Sequence, residues 1–253
     1  MRRPALAFAI LLAAGASAVA LVGGAREIPN AAARPEVMFT GSRGTFCSGV
    51  AIARDLVLTA AHCVQPGADY KLISFDAQRQ PLLKDTAQIA RHPQFDLKTM
   101  LAHRATADVA LVKLASALSV TPVPLMEARP RVAAGERFVV HGYGLAVRRE
   151  GTSGGRLRAA TLIATGKPGN LQLRLVDPAA GADRPGLGAC TGDSGAPVYQ
   201  DLGGTLTVIG VVSWSTGPGG SDGCGGLTGV TPIELYRGWI VQTARQMGSP
   251  VGP

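Results

Sequence analysis

Glycine and proline interrupt this chain too often for it to be built from long helices. There are 33 Gly and 17 Pro among 253 residues, and charges are sparse. The apolar stretches between turn residues are short, and they read as strands. The chain is therefore expected to be all-β. No internal repeat, low-complexity tract or linker divides it, and all-β domains of this length are common.

The amino-terminal segment has a different organisation. Arg2 and Arg3 precede an apolar run from Ala5 to Ala14, and small residues follow. Ala18 and Ala20 form an A-x-A cleavage signal, overlapped by a second one at Ala16 and Ala18. This pattern predicts a secretory signal peptide over residues 1–20. The apolar run is shorter than the roughly 20 residues of a spanning helix, which argues against an uncleaved anchor. Signal cleavage after Ala20 would leave 233 residues beginning LVGG; cleavage after Ala18 would leave Val19 and Ala20 in front. No other segment is expected to span a membrane. The export signal and the alanine-rich composition look bacterial and suggest a secreted or periplasmic protein.

The formal charge is +8, and about +6 without Arg2 and Arg3. The basic residues are scattered and not interleaved with aromatics, which argues against nucleic-acid binding. A solvated basic surface, favouring acidic substrates or anionic cell surfaces, is the default reading. Four cysteines in an exported chain suggest two disulfides. Sequence alone permits three pairings, and no cysteine spacing resembles a zinc site. No metal or cofactor is expected.

Three motifs carry chemistry: LTAAHCV at Leu58–Val64, ADVALVKL at Ala107–Leu114 and CTGDSGAPV at Cys190–Val198. Each is weak alone, since His62 would pass for a core histidine and Asp108 for a turn residue. Together they form a constellation. A serine hydroxyl is a poor nucleophile until a base takes its proton. A neutral histidine does that near pH 7. A buried carboxylate orients the ring and stabilises the imidazolium. His62, Asp108 and Ser194 supply these three roles.

With these motifs the chain resembles the trypsin/chymotrypsin family of serine proteases, from Leu21 to about Gln246. Supporting matches are CSGVAIARDLVLTAAHC, HGYG at His141–Gly144, VVSWS at Val211–Ser215 and GVTPI at Gly229–Ile233. The resemblance implies two packed antiparallel six-stranded β-barrels, over about 21–118 and 120–233. A C-terminal amphipathic helix over about 234–247 follows, with Leu235, Ile240 and Val241 on its packed face. It implies His62, Asp108 and Ser194 as the triad, and the amides of Gly192 and Ser194 as the oxyanion hole. Ser213 would support Asp108, and Ser213, Trp214 and Ser215 would form the edge along which a peptide pairs. Cys47 would bond to Cys63, and Cys190 to Cys224. The ammonium of Leu21 would pair with Asp193 after cleavage, so that signal removal itself activates the enzyme. Leu21 stands 41 positions before His62, as the family expects.

Specificity rests on Gly188 and Ala189, where an acidic family member selects Lys or Arg. A neutral pocket leaves a buried cation without a partner, so apolar or aromatic side chains are expected. Asp183 or Asp222 entering the pocket would restore basic specificity. Ser215 replaces a common Gly and narrows the entrance. Ala196 replaces a second Gly and threatens to crowd nearby backbone, and Tyr143 replaces a common Trp. His92, His103 and His141 are read as surface or structural. The expected partners are polypeptide substrates and a protein inhibitor, with no nucleic acid and no membrane after signal removal, for a monomer. The competing readings are a protease-like binding protein and an esterase with the same triad.

Overall fold

The computed structural model describes residues 21–76, 78, 80–127, 132–166, 171–181, 184–217 and 222–252. The signal segment and Asp183 lie outside the described residues. The first barrel is formed by β2 (Glu36–Gly41), β3 (Phe46–Ala53), β4 (Leu56–Thr59), β5 (Tyr70–Phe75), β6 (Pro81–Arg91) and β7 (Ala110–Leu114). It closes in the order β2-β3-β4-β7-β6-β5, with every pairing antiparallel. The second is formed by β8 (Arg137–Gly142), β9 (Arg158–Ala164), β10 (Leu173–Val176), β11 (Pro197–Leu202), β12 (Thr205–Ser215) and β13 (Thr228–Pro232). Its order is β9-β10-β13-β12-β11-β8, and the pairing of β8 with β9 closes it. A short helix, α1 (Leu97–Leu101), precedes β7, and α2 (Arg237–Gln246) follows the second barrel.

The near-continuous apolar runs reflect burial on both strand faces, as expected where both sides of a sheet are covered. On β7, Ala110, Val112 and Leu114 point into the first barrel, whereas Leu111 points outward. On β4, Val57 points in and Leu56 and Leu58 point out. These outward residues meet Tyr199, Val208 and Val211 of the second barrel and Ile240 and Ala244 of α2. One apolar seam thus joins both barrels and the C-terminal helix, which holds the residues of the two halves in a common frame.

Two expectations change. The segment from Leu21 does not open the first barrel. Leu21 is buried in the second core, Val22 bridges to Gly188, and β1 (Arg26–Glu27) pairs with β9. The chain enters the first barrel as a strand at Glu36. Leu235 is also not on the packed helix face: it lies in the 3-10 turn ahead of α2 and is 44 % exposed. The buried positions are Ile240, Thr243, Ala244 and Met247, at the i, i+3, i+4, i+7 spacing of one helix face.

Candidate active site

His62 sits in a 3-10 turn directly after β4, between the fully buried Ala61 and Cys63. The Cys47–Cys63 disulfide ties this turn to β3. Asp108 lies two residues before β7 and is fully buried. Its Oδ2 is 2.8 Å from His62 Nδ1, and its Oδ1 accepts the His62 backbone N–H at 2.9 Å. Ser213 Oγ, on β12, donates to Oδ2 at 2.5 Å. The carboxylate is thus held from both barrels, and it holds the imidazole ring in turn. The His62 side chain remains 16 % exposed.

Ser194 stands between Gly192 and Gly195, whose φ values are +95° and +77°. Most residues avoid that backbone region and glycine does not. In this loop the amides of Asp193, Gly195 and Ala196 donate inward, to Cys190 O, Val212 O and Asp193 O. Those of Gly192 and Ser194 donate to no group among the described residues. Two unpaired donors therefore remain in the loop that carries Ser194. His62, Ser194, Gly192 and Ser215 line one cleft of about 370 Å³, together with Phe46 and Asp222. The Ser194 hydroxyl makes no hydrogen bond to a described residue; contacts of this kind often tighten only with substrate bound.

Asp193 is fully buried, with Oδ1 accepting from Gly144 N and Oδ2 from Cys190 N, both at 2.9 Å. A Cβ at Gly142 would stand 2.1 Å from Oδ1, and one at Gly144 2.4 Å from Cγ. The glycines of HGYG therefore make room for this carboxylate. Burial pushes its pKa up to about 7, against the pull of the two amides and of the Arg158 charge. Leu21 belongs to the core cluster of the second barrel, which also includes Ala189 and Ala196. In the full chain its nitrogen is an amide joined to Ala20.

Cys190 bonds to Cys224. Gly188 lies against the Gly225–Gly226 backbone, and Ala189 N donates to Thr228 Oγ1 at 3.0 Å. Asp222 is engaged by Arg149, through both Nε and a terminal nitrogen. The Ala196 methyl causes no crowding, because it packs into the second core. Cys47, His62 and Cys63 bring two sulfurs and a ring nitrogen within 4.8 Å. Both sulfurs are in the disulfide, so the trio offers no thiolate to a metal.

Three features escaped sequence reasoning. Trp214 stacks against His103 with centroids 4.7 Å apart, and the Arg174 guanidinium lies 5.6 Å from its ring. His141 is a cross-barrel residue: its Nδ1 is 2.7 Å from Glu36 Oε1, which also accepts from Tyr199 OH at 2.7 Å. Ser48 joins the serine loop to the first barrel. None of the three carries a local signal, because each depends on partners far away in sequence.

A family model described as Trypsin matches residues 21–240. The chain is 29 % identical over 241 residues to a vitellin-degrading protease of Bombyx mori, covering 88 % of this chain and 84 % of that one. It is 28 % identical over 239 residues to kallikrein-8 of Mus musculus, covering 88 % and 86 %. Transmembrane protease serine 9 of Rattus norvegicus matches at 28 % over 79 % of this chain, but only 19 % of its own length is involved. The solved structure of neuropsin, a serine protease from mouse brain, superposes with a TM-score of 0.66 at 22 % identity, over 88 % of this chain and 99 % of that one. These relatives are animal proteins and lend no support to a bacterial character.

Proposed function

Because the chain belongs to the trypsin family of serine proteases, we propose that it is an exported endopeptidase working through His62, Asp108 and Ser194. The observation that carries this reading is the buried Asp108 carboxylate bonded to His62 Nδ1, with His62 and Ser194 on one cleft. Ser194 Oγ attacks the peptide carbonyl carbon while His62 Nε2 takes its proton. The amides of Gly192 and Ser194 receive the oxyanion. The C–N bond breaks as the amine leaves with the proton from His62, giving an acyl-enzyme. Water then repeats the sequence and frees Ser194. An esterase would use the same steps; the β12 edge from Ser213 to Ser215, which suits an extended chain, favours peptides.

Specificity is proposed to be for apolar or aromatic side chains. Gly188 and Ala189 bring no charge, and Asp222 is already neutralised by Arg149. A peptide panel preferring Lys or Arg would refute this. Signal cleavage after Ala20 is proposed to release Leu21 as the activating terminus. The family match beginning at Leu21 and the burial of Leu21 in the core that holds Ala189 and Ala196 support it. No helix among the described residues is long and apolar enough to cross a membrane. The signal-like residues 1–20 are the basis for proposing a secreted enzyme, and it is further proposed to be a monomer acting on polypeptides and open to protein inhibitors. The test is the intact mass of exported protein after treatment with a serine-directed phosphonate. A chain starting at Leu21 with one adduct, lost in Ser194→Ala, is expected. A Leu21 start without an adduct would favour a binding protein.

A further inference from the structure

Cys47 and Ser48 are consecutive residues of β3, and each is fastened to a different loop of the cleft. Cys47 is bonded to Cys63, next to His62. Ser48 reaches the opposite barrel: its N–H donates to Ser194 O at 2.8 Å and its Oγ donates to Gly192 O at 2.8 Å. The same Oγ accepts from Tyr143 N at 3.1 Å, and Ser48 O accepts from Thr59 Oγ1 at 2.7 Å. Ser48 is almost fully buried. A hydroxyl has one hydrogen to donate, so this pattern fixes its orientation.

The consequence concerns the two unpaired amides. Gly192 has no side chain to restrain it, so its conformation depends on what its peptide groups bond to. Ser48 holds the carbonyls of both Gly192 and Ser194 against β3. The Gly192–Asp193 and Ser194–Gly195 peptide planes are thereby held. The plane carrying the Ser194 amide lies between them and the plane carrying the Gly192 amide adjoins the first, so both free amides are restrained through their neighbours. Removing the hydroxyl leaves Gly192 O and Tyr143 N without partners in a buried site, which favours a rearranged loop.

We propose that Ser48 is a positioning residue for the oxyanion donors, setting the serine loop in register with the histidine turn held by its neighbour Cys47. The proposal rests on the triad reading above. It does not touch substrate, so its loss should weaken the transition state and spare ground-state binding. Ser48→Ala is expected to lower kcat and kcat/KM together by about 10- to 100-fold with KM within about twofold. That is less than the 10²–10³ of losing one oxyanion donor outright. The thermal midpoint is measured alongside. Because Ser48→Ala risks misfolding, the isosteric pair Ser48→Thr and Ser48→Val is compared as well. They crowd the site equally and differ in the hydroxyl, so Thr should exceed Val in kcat by about 10-fold. Ser48→Ala with wild-type kcat, or equal kcat in the Thr and Val variants, overturns the proposal. Wild-type enzyme starting at Leu21 that neither cleaves peptides nor labels with the phosphonate overturns the protease reading itself, and this inference with it.

Discussion

The buried Asp193 makes the form of the chain that still carries residues before Leu21 sensitive to pH in an unusual direction. Its carboxyl is raised from 3.8 to about 7, chiefly by burial. An unfolded Asp193 ionises near 3.8, so between that value and 7 the folded chain binds about one more proton than the unfolded one. Stability from this group is therefore present below pH 3.8 and lost as pH rises toward 7. Across roughly three pH units, at about 1.4 kcal/mol per unit, the loss is about 4 kcal/mol. The proposed pairing of a Leu21 ammonium with Asp193 predicts that cleavage before Leu21 lets Asp193 ionise without that loss. The assay is urea unfolding from pH 4 to 7.5, in an inactive Ser194→Ala background, of a form keeping Val19 and Ala20 and a form starting at Leu21. Each is compared with its Asp193→Asn counterpart, so that other carboxylates cancel. Relative to Asn, the Asp form of the longer chain should lose about 4 kcal/mol on going to neutral pH, and the Leu21 form far less. A flat difference in the longer chain, or the same slope in both, would refute the reasoning.

Further outcomes follow from the same contacts. Asp108→Asn should keep the fold yet lower kcat about 10⁴-fold by leaving His62 in the wrong tautomer, measurable with a chromogenic peptide. Burial opposes ionisation of Glu36, but the hydrogen bond and charge of His141 and the Tyr199 hydroxyl hold its pKa below the ordinary value. Its stabilisation should be present above pH 4.5 and lost as pH falls, so Glu36→Gln should cost about 3 kcal/mol at neutral pH and less in acid, by urea unfolding. Gly195→Ala would place a methyl 2.1 Å from Thr59 Oγ1 and 2.4 Å from Ser48 O, at φ +77°. It should abolish turnover and destabilise by more than about 2 kcal/mol, seen as a lower thermal midpoint. Activity of the Leu21 form should fall as pH rises above about 8 and the terminal ammonium loses its proton; a profile unchanged well into the alkaline range would count against the activating pair.

Features that depend on local chemistry were legible along the chain. Turn residues and short apolar runs specify strands, and residues on both faces of β4 and β7 are apolar because both faces are covered. Cysteine positions and the motifs around His62, Asp108 and Ser194 identify the family, and with it the two barrels and both disulfides. Those signals lie within a few consecutive residues. The remaining features depend on contacts between distant parts of the chain. The Leu21 segment attaches to the second barrel because its partners are Gly188 and β9, more than 100 residues away. Leu235 turned out exposed because a 3-10 turn, not the helix, sets its direction. Ser48, Glu36 and His141 read as ordinary strand residues until the barrels pack. Ser48 then meets Gly192 across 144 residues, and Glu36 meets His141 across 105. A side chain's own sequence neighbourhood holds no record of such a partner; packing alone brings the two within reach of a hydrogen bond.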